Sequence, residues 1–293
     1  MRVFAISDIH LDFERNRRLW QSVSAQDFTS DILLLAGDVT HDRVRLSWAL
    51  ESIRGKFAGV AFVPGNHELW IVQDDGHQDS LEKFRAVLEL CRTLDIYTDP
   101  FNAQTASGRN PLWIVPLFSW YAKPEEGGDS LYVPKEGEDP TLSMWSDNYL
   151  VRWPRAWQGT RPADYFLKLN EARISRRFRG TVITLSHFLT RADLLYGTAV
   201  ERAAATAAHP EFNFSRVAGT SNLDRQIRVV RSSVHVYGHQ HRDRDRQIAG
   251  TRYISHCLGY PREKLEEHKL EFKLVWDDTH TTPPPDPGSI PRA

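Results

Sequence analysis

Val3-Phe4-Ala5-Ile6-Ser7-Asp8-Ile9-His10 opens the chain, and its form decides how the rest is read. A short apolar run stops abruptly at polar residues, as a buried strand does where it leaves a sheet. The pattern recurs. Residues 32–36 run into Gly37-Asp38, residues 60–63 lead to Gly65-Asn66-His67-Glu68, residues 181–185 to Ser186-His187, and residues 234–237 to Gly238-His239-Gln240-His241. With residues 113–117 these give six expected strands, 3–7 being the first. Between them residues 15–24, 42–53, 80–94 and 163–177 space their apolar side chains as helices do, Leu81, Phe84, Leu88 and Cys91 sharing one face. Strands alternating with helices predict an α/β fold, a sheet covered by helices.

Composition narrows the function classes. In 293 residues, 37 Lys and Arg against 38 Asp and Glu give a net charge of -1, so no global field draws the chain to nucleic acid or an anionic membrane. Two cysteines, Cys91 and Cys257, exclude a disulfide framework and a thiolate zinc ribbon. No run approaches the ~18 apolar residues of a membrane-spanning helix, and residues 1–10 read as a strand, not a secretory signal. A cytoplasmic protein is expected. Twelve histidines stand out, so any metal would be held by imidazole and carboxylate.

Residues 118–160 interrupt the rhythm. Residues 113–157 contain five of the nine tryptophans, Trp113, Trp120, Trp145, Trp153 and Trp157, and read as a lid or as a patch capping the core. Residues 253–257 and 270–276 are expected to be antiparallel strands closing a second sheet. Residues 1–276 thus form one domain with 118–160 as its insertion, and 277–293, rich in proline, read as a disordered tail.

The polar residues that end the strands suit metal chemistry. Side chains beyond the carboxyl ends of neighbouring strands converge on one crevice. Asp8 and His10, two apart, can turn to one ion, and Asp38 has two oxygens with which to bridge a pair of cations about 3.5–4 Å apart. Asn66 adds a carbonyl oxygen; His187, His239 and His241 add ring nitrogens. Nitrogen and oxygen donors without sulfur suit Mn, Fe, Zn, Co or Ni.

The ordered set Asp8-x-His10, Gly37-Asp38, Gly65-Asn66-His67-Glu68, His187 and Gly238-His239-x-His241 resembles the calcineurin-like metallophosphoesterase superfamily, over residues 1 to about 276. The resemblance implies a four-layered βαβα sandwich with two mixed β-sheets and a dinuclear metal site at the carboxyl ends of the strands. It implies that two divalent ions are held, one by Asp8, His10, Asp38 and His241, the other by Asp38, Asn66, His187 and His239. A hydroxide bridging them would hydrolyse a phosphate ester, with His67 as catalytic proton donor. One departure concerns the Asp that in many members follows the bridging Asp by three residues and orients the catalytic histidine. Here that position is His41, which leaves Asp42, a backbone carbonyl or no charged group to orient His67.

The remaining candidates read as structural. His235 lies within a strand, and His256 is nearer to the site but more plausibly outside it. His77, His209, His268 and His280 read as surface residues, and Arg43 and Arg45 as a solvated helix face. Arg173, Arg176, Arg177 and Arg179, like Arg242, Arg244 and Arg246, read as salt-bridged faces, and nucleic acid is not expected as a partner. The expected activity is phosphomonoester hydrolysis on a small soluble metabolite or nucleotide. A phosphodiesterase on a cyclic nucleotide or nucleic-acid end is the alternative, and a non-catalytic binding module is the alternative of another class. Neither Gly-x-Ser-x-Gly nor a phosphate-binding P-loop is present.

Overall fold

A computed structural model describes residues 1–72, 76–103, 111–157, 159–263 and 269–278. In chain order the elements are β1 Arg2–Ile6, α1 Glu14–Gln21, β2 Ile32–Leu35, α2 Arg43–Arg54, β3 Gly59–Phe62, α3 Ser80–Thr93, β4 Phe101–Ala103 and β5 Leu112–Pro116. There follow α4 Asp147–Leu150, α5 Pro162–Ile174, β6 Thr181–Leu185, α6 Ala199–Ala208, α7 Ser221–Val229, β7 Val234–Tyr237, β8 Arg244–Ile248, β9 Thr251–Ser255 and β10 Lys273–Asp277.

The strands form two mixed sheets, β10-β1-β2-β3 and β4-β5-β6-β7-β9-β8. Alternation along each strand sorts its side chains between two layers. Val3, Ala5, Ile32, Leu34 and Ala61 meet Ile114, Ile183, Leu185, Val236 and Ile254 between the sheets. Phe4, Ile6, Leu33, Leu35 and Phe62 turn outward to Trp20, Leu46, Leu50, Val87 and Cys91 of α1, α2 and α3. On the second sheet Val182, Tyr237 and Tyr253 turn outward to Leu223 and Ile227 of α7. The βαβα rhythm of the chain therefore stacks as helices, sheet, sheet, helices. Asp42 and Asp79 start α2 and α3 by accepting backbone N–H groups of the first turn.

The last strands differ from expectation. β9 lies parallel to β7, and β10 pairs antiparallel with β1 in the other sheet. A tight turn at Ala249 and Gly250, both at positive φ, folds β8 back antiparallel on β9. β8 takes the sheet edge and leaves β9 beside β7. Of the expected tail, Asp277 ends β10 and Asp278 pairs with the terminal amine of Met1 at 3.0 Å; the rest, with His268 and His280, lies outside the described residues.

The tryptophans divide. Trp120, Trp153 and Trp157 pack with Phe166 and Phe188 in an aromatic cluster, and Trp113 packs on Phe178. Trp145 lines the cleft described below.

Candidate metal centre

All seven expected ligand residues come together where β1, β2, β3, β6 and β7 end. One group of ligand atoms, from Asp8, His10, Asp38 and His241, lies within 4.8 Å of one another; Asp38, His187 and His239 form a second. Asn66 joins the second, its Oδ1 3.2 Å from His187 Nε2. Asp38 belongs to both.

The backbone is bent sharply to achieve this. Asp8, His10, Asp38, His239 and His241 all have positive φ, between 47° and 75°, a conformation that non-glycine residues rarely adopt. Glycine appears where space is short: a Cβ on Gly65 would fall 2.2 Å from Asp38 Oδ1 and 2.8 Å from His187.

Outer contacts fix which nitrogen faces inward for His187, His239 and His241. His187 Nδ1 donates to the carbonyl of Ala36 at 2.8 Å, and His239 Nε2 to that of Val217 at 3.0 Å. The nitrogens left, His187 Nε2 and His239 Nδ1, face each other at 3.2 Å. His241 Nδ1 contacts the Glu263 carboxylate at 2.8 Å, which turns Nε2 to His10 Nε2, 2.9 Å away. Burial would raise the Asp38 carboxyl, but His187, His67 and His10 outweigh it and hold it well below the usual range. Burial would likewise lower His187, yet Asp38 and Asp8 hold it above its ordinary value. Clustered ring nitrogens and buried carboxylates offer nitrogen and oxygen donors to a cation, so the donor set fits divalent metal.

A model of the calcineurin-like phosphoesterase family matches residues 1–243. The chain belongs to this family. It is therefore a metal-dependent phosphoester hydrolase. Among curated proteins it is similar to the [acyl-carrier-protein] phosphodiesterase PptH of Mycobacterium tuberculosis, 28% identical over 279 residues, which cover 89% of this chain and 78% of the relative. Among solved structures it resembles phosphopantetheinyl hydrolase (PptH) from Mycobacterium tuberculosis, with a TM-score of 0.69 at 23% identity, covering 99% of this chain and 98% of that one.

Within this family fold, several residues to which the sequence reading assigned no role support the ligand set. Glu68 is fully buried and takes four backbone N–H groups, those of Val39 and Thr40 on Oε1 and those of Asp38 and Gly65 on Oε2. It ties the loop after β2 to the loop after β3. Asp147, also buried, accepts from Asn66 Nδ2 at 2.9 Å, Trp70 Nε1 at 2.6 Å and Trp145 Nε1 at 3.1 Å. Holding the Asn66 amide nitrogen turns its carbonyl oxygen to the donor set. Tyr260 packs on both His10 and His241, at centroid distances of 4.4 and 4.6 Å.

His67 lies against Trp70, ring centroids 3.6 Å apart, with Nε2 3.8 Å from Asp38 Oδ2. Asp42, an expected candidate for orienting it, instead caps α2. The carboxylate beside it belongs to Asp12, whose ligand atom lies within 4.8 Å of those of His67 and His10. Asp12 also binds His41 at 3.1 Å and Arg45 at 2.8 Å; Arg43 is exposed. Burial presses the His67 ring down to about 4, against the pull of Asp38 and Asp12.

The other histidines and arginines lie elsewhere. His235 is buried between Thr184 and Ser186, and His256 turns to Glu271 and Asp243. Arg173 pairs with Asp99 at 2.6 Å, Arg244 with Glu201, and Arg176 stacks on Trp113. His209 is exposed, yet it lines the cleft. That cleft, a cavity of about 350 Å³, opens from Asp38, Asn66 and His67. Among the described residues no helix is long and apolar enough to cross a membrane.

Proposed function

We propose that Asp8, His10, Asp38 and His241 hold one divalent ion, that Asp38, Asn66, His187 and His239 hold a second, and that the substrate is a phosphodiester with one small-molecule arm. The observation carrying the choice of ester is the lining of the cleft beside the donor set. It is largely aromatic, with Trp70, Trp145, Tyr260 and Phe214, and its two cations are matched by the carboxylates Glu201 and Glu263. The cations that line it are Lys135, whose Nζ is committed to the carbonyls of Phe212 and His209, and Arg242, exposed and next to His241. A monoester dianion calls for further cationic partners; a diester carries one charge fewer and a second arm that needs a wall. The phosphodiesterase relative points the same way, so a phosphopantetheinyl carrier protein is the first natural substrate to try. The monoester reading from sequence becomes the second.

Divalent ions held there would polarise the phosphoryl oxygens and acidify the attacking water. The water oxygen forms the new P–O bond, one ester P–O bond breaks, and the departing alkoxide takes a proton, giving an alcohol and a phosphomonoester. His67 Nε2 lies on the side of Asp38 and donates to the leaving oxygen, the phosphate anion raising the affinity of the ring for its proton. Asp147 and Glu263 hold the Asn66 carbonyl and His241 Nε2 in place.

The test is turnover of bis-p-nitrophenyl phosphate against p-nitrophenyl phosphate, with Mn, Ni or Fe supplied. The diester is expected to give the higher kcat/KM. A higher value for the monoester under every metal overturns the diester assignment.

A further inference from the structure

After β3 the chain winds through one 3₁₀ turn, His67–Leu69, and the Trp70 N–H that ends it donates to the His67 carbonyl at 3.2 Å. Side chains three residues apart on such a turn stand one above the other. The Trp70 indole accordingly lies over the His67 imidazole, with centroids 3.6 Å apart and planes at 31°.

The carboxylates near His67 do not hold its ring. Asp38 Oδ2 stands 3.8 Å from Nε2, farther than a hydrogen bond reaches, and Asp12 Oδ1 is taken by Thr40, His41 and Arg45. The hydrogen bond that His67 gives to Asp38 Oδ1, at 3.0 Å, comes from its backbone N–H. The indole, by contrast, is anchored at both ends. Its Nε1 donates to Asp147 Oδ1 at 2.6 Å, the same oxygen that takes Asn66 Nδ2 at 2.9 Å, and the Trp70 carbonyl accepts from Nζ of Lys83, a buried side chain of α3. One carboxylate therefore sets both the Asn66 amide and the ring against which the next residue lies.

We propose that Trp70 is the positioning residue for His67, an aromatic platform that fixes the plane of the imidazole where a carboxylate does not; the proposal rests on the reading of His67 as proton donor. A ring nitrogen gives its proton in the plane of the ring, so a tilted imidazole loses donation to the leaving oxygen while the attack of water is left in place.

The experiment uses the full chain loaded with Mn²⁺ and two diesters that differ in leaving group alone. Methyl p-nitrophenyl phosphate releases a phenolate that needs little protonation; methyl phenyl phosphate releases one that needs more. Trp70→Leu should lower kcat/KM by roughly 10- to 100-fold for the phenyl ester and by no more than about threefold for the nitrophenyl ester. Trp70→Phe keeps a flat ring, loses the N–H to Asp147 and should restore most of the phenyl ester rate. His67→Ala should show the same selectivity as Trp70→Leu. In the chain labelled with ¹³C-histidine, the ring protons of His67, assigned by their loss in His67→Ala, should resonate upfield under the indole ring current and move downfield in Trp70→Leu. Equal loss on both esters in Trp70→Leu, no loss at all, or no restoration by Trp70→Phe overturns the platform while a selective His67→Ala keeps the donor. Wild-type His67 protons without the upfield displacement overturn it even where Trp70→Leu fails to fold. Equal loss on both esters in His67→Ala overturns the donor reading itself.

Discussion

Glu68→Gln is the sharpest test of how this site is held. The carboxylate receives two backbone N–H groups on each oxygen, at 2.6 and 3.1 Å on Oε1 and at 3.0 and 2.7 Å on Oε2. Gln offers one oxygen and one NH₂. Whichever way its amide is turned, two buried donors lose their acceptor and face another donor. An unsatisfied buried donor costs about 1–3 kcal/mol, so two cost about 2–6. Against this, the variant no longer buries an anion next to Asp38, burial and that neighbour being what raise the Glu68 carboxyl to about 7. With that relief set at about 1–2 kcal/mol, the net loss is about 2.5 kcal/mol, and for a chain of 293 residues Tm falls by roughly 4 °C. The loops joined by Glu68 carry Asp38, Asn66 and His67, so metal uptake should weaken together with stability. Thermal melts followed by circular dichroism, with elemental analysis after dialysis against Mn, measure both. A Tm within about one degree of wild type, with metal content unchanged, would refute the argument that this carboxylate clamps the two loops.

Three further outcomes follow from the geometry. Asp38→Asn removes the residue shared by both ligand groups and should abolish binding of both ions; retention of two by elemental analysis refutes the bridging role. Glu263→Ala releases His241 Nδ1 and should weaken metal affinity by about 10- to 100-fold in chelator competition, whereas equal affinity would mean that Glu263 does not fix the His241 tautomer. Burial holds the His235 ring neutral down to about 3, while in the unfolded chain it titrates near about 6.5. Its contribution is therefore complete above about 6.5 and falls by about 1.4 kcal/mol per pH unit below that, until pH nears the folded value. His235→Asn should flatten the acid slope of urea stability by that amount, and an unchanged slope would show that the ring is not kept neutral.

The first half of the site was legible because each parallel strand is buried on both faces and so reads as an apolar run with polar residues at its end. Asp8, Asp38 and Asn66 announce themselves by position. β8 was hidden because it is an edge strand, half solvated, whose Arg244 and Arg246 look like a charged loop. Asp147 could not be read at all: it reaches Asn66 from 81 residues away, and no spacing rule spans that distance. Glu263 follows His241 by 22 residues and lies beyond the segment that matches the family model. Asp12 was within reach. Asp8, His10 and Asp12 alternate, so a strand-like extension past His10 could have nominated it for the place beside His67.

Where the chain keeps glycine and where it refuses it says most about the site. Gly37, Gly65 and Gly238 stand where a Cβ would collide with Ser7, Asp8, Asp38 or His187; there the side chain is given up so that backbones can approach. Asp8, His10, Asp38, His239 and His241 bend just as sharply, at positive φ, and a glycine at any of them would relieve about 1 kcal/mol of backbone strain. The side chains are kept nonetheless, and each turns a possible ligand atom towards its neighbours. Strain, buried charge and facing nitrogens each act against folding, and all three fall on the same residues. Packing alone has no use for such a concentration. A cation interacting with all of them at once does, because one binding event offsets the three costs together, and it places positive charge where a phosphate must come to rest on a protein whose overall charge is close to zero.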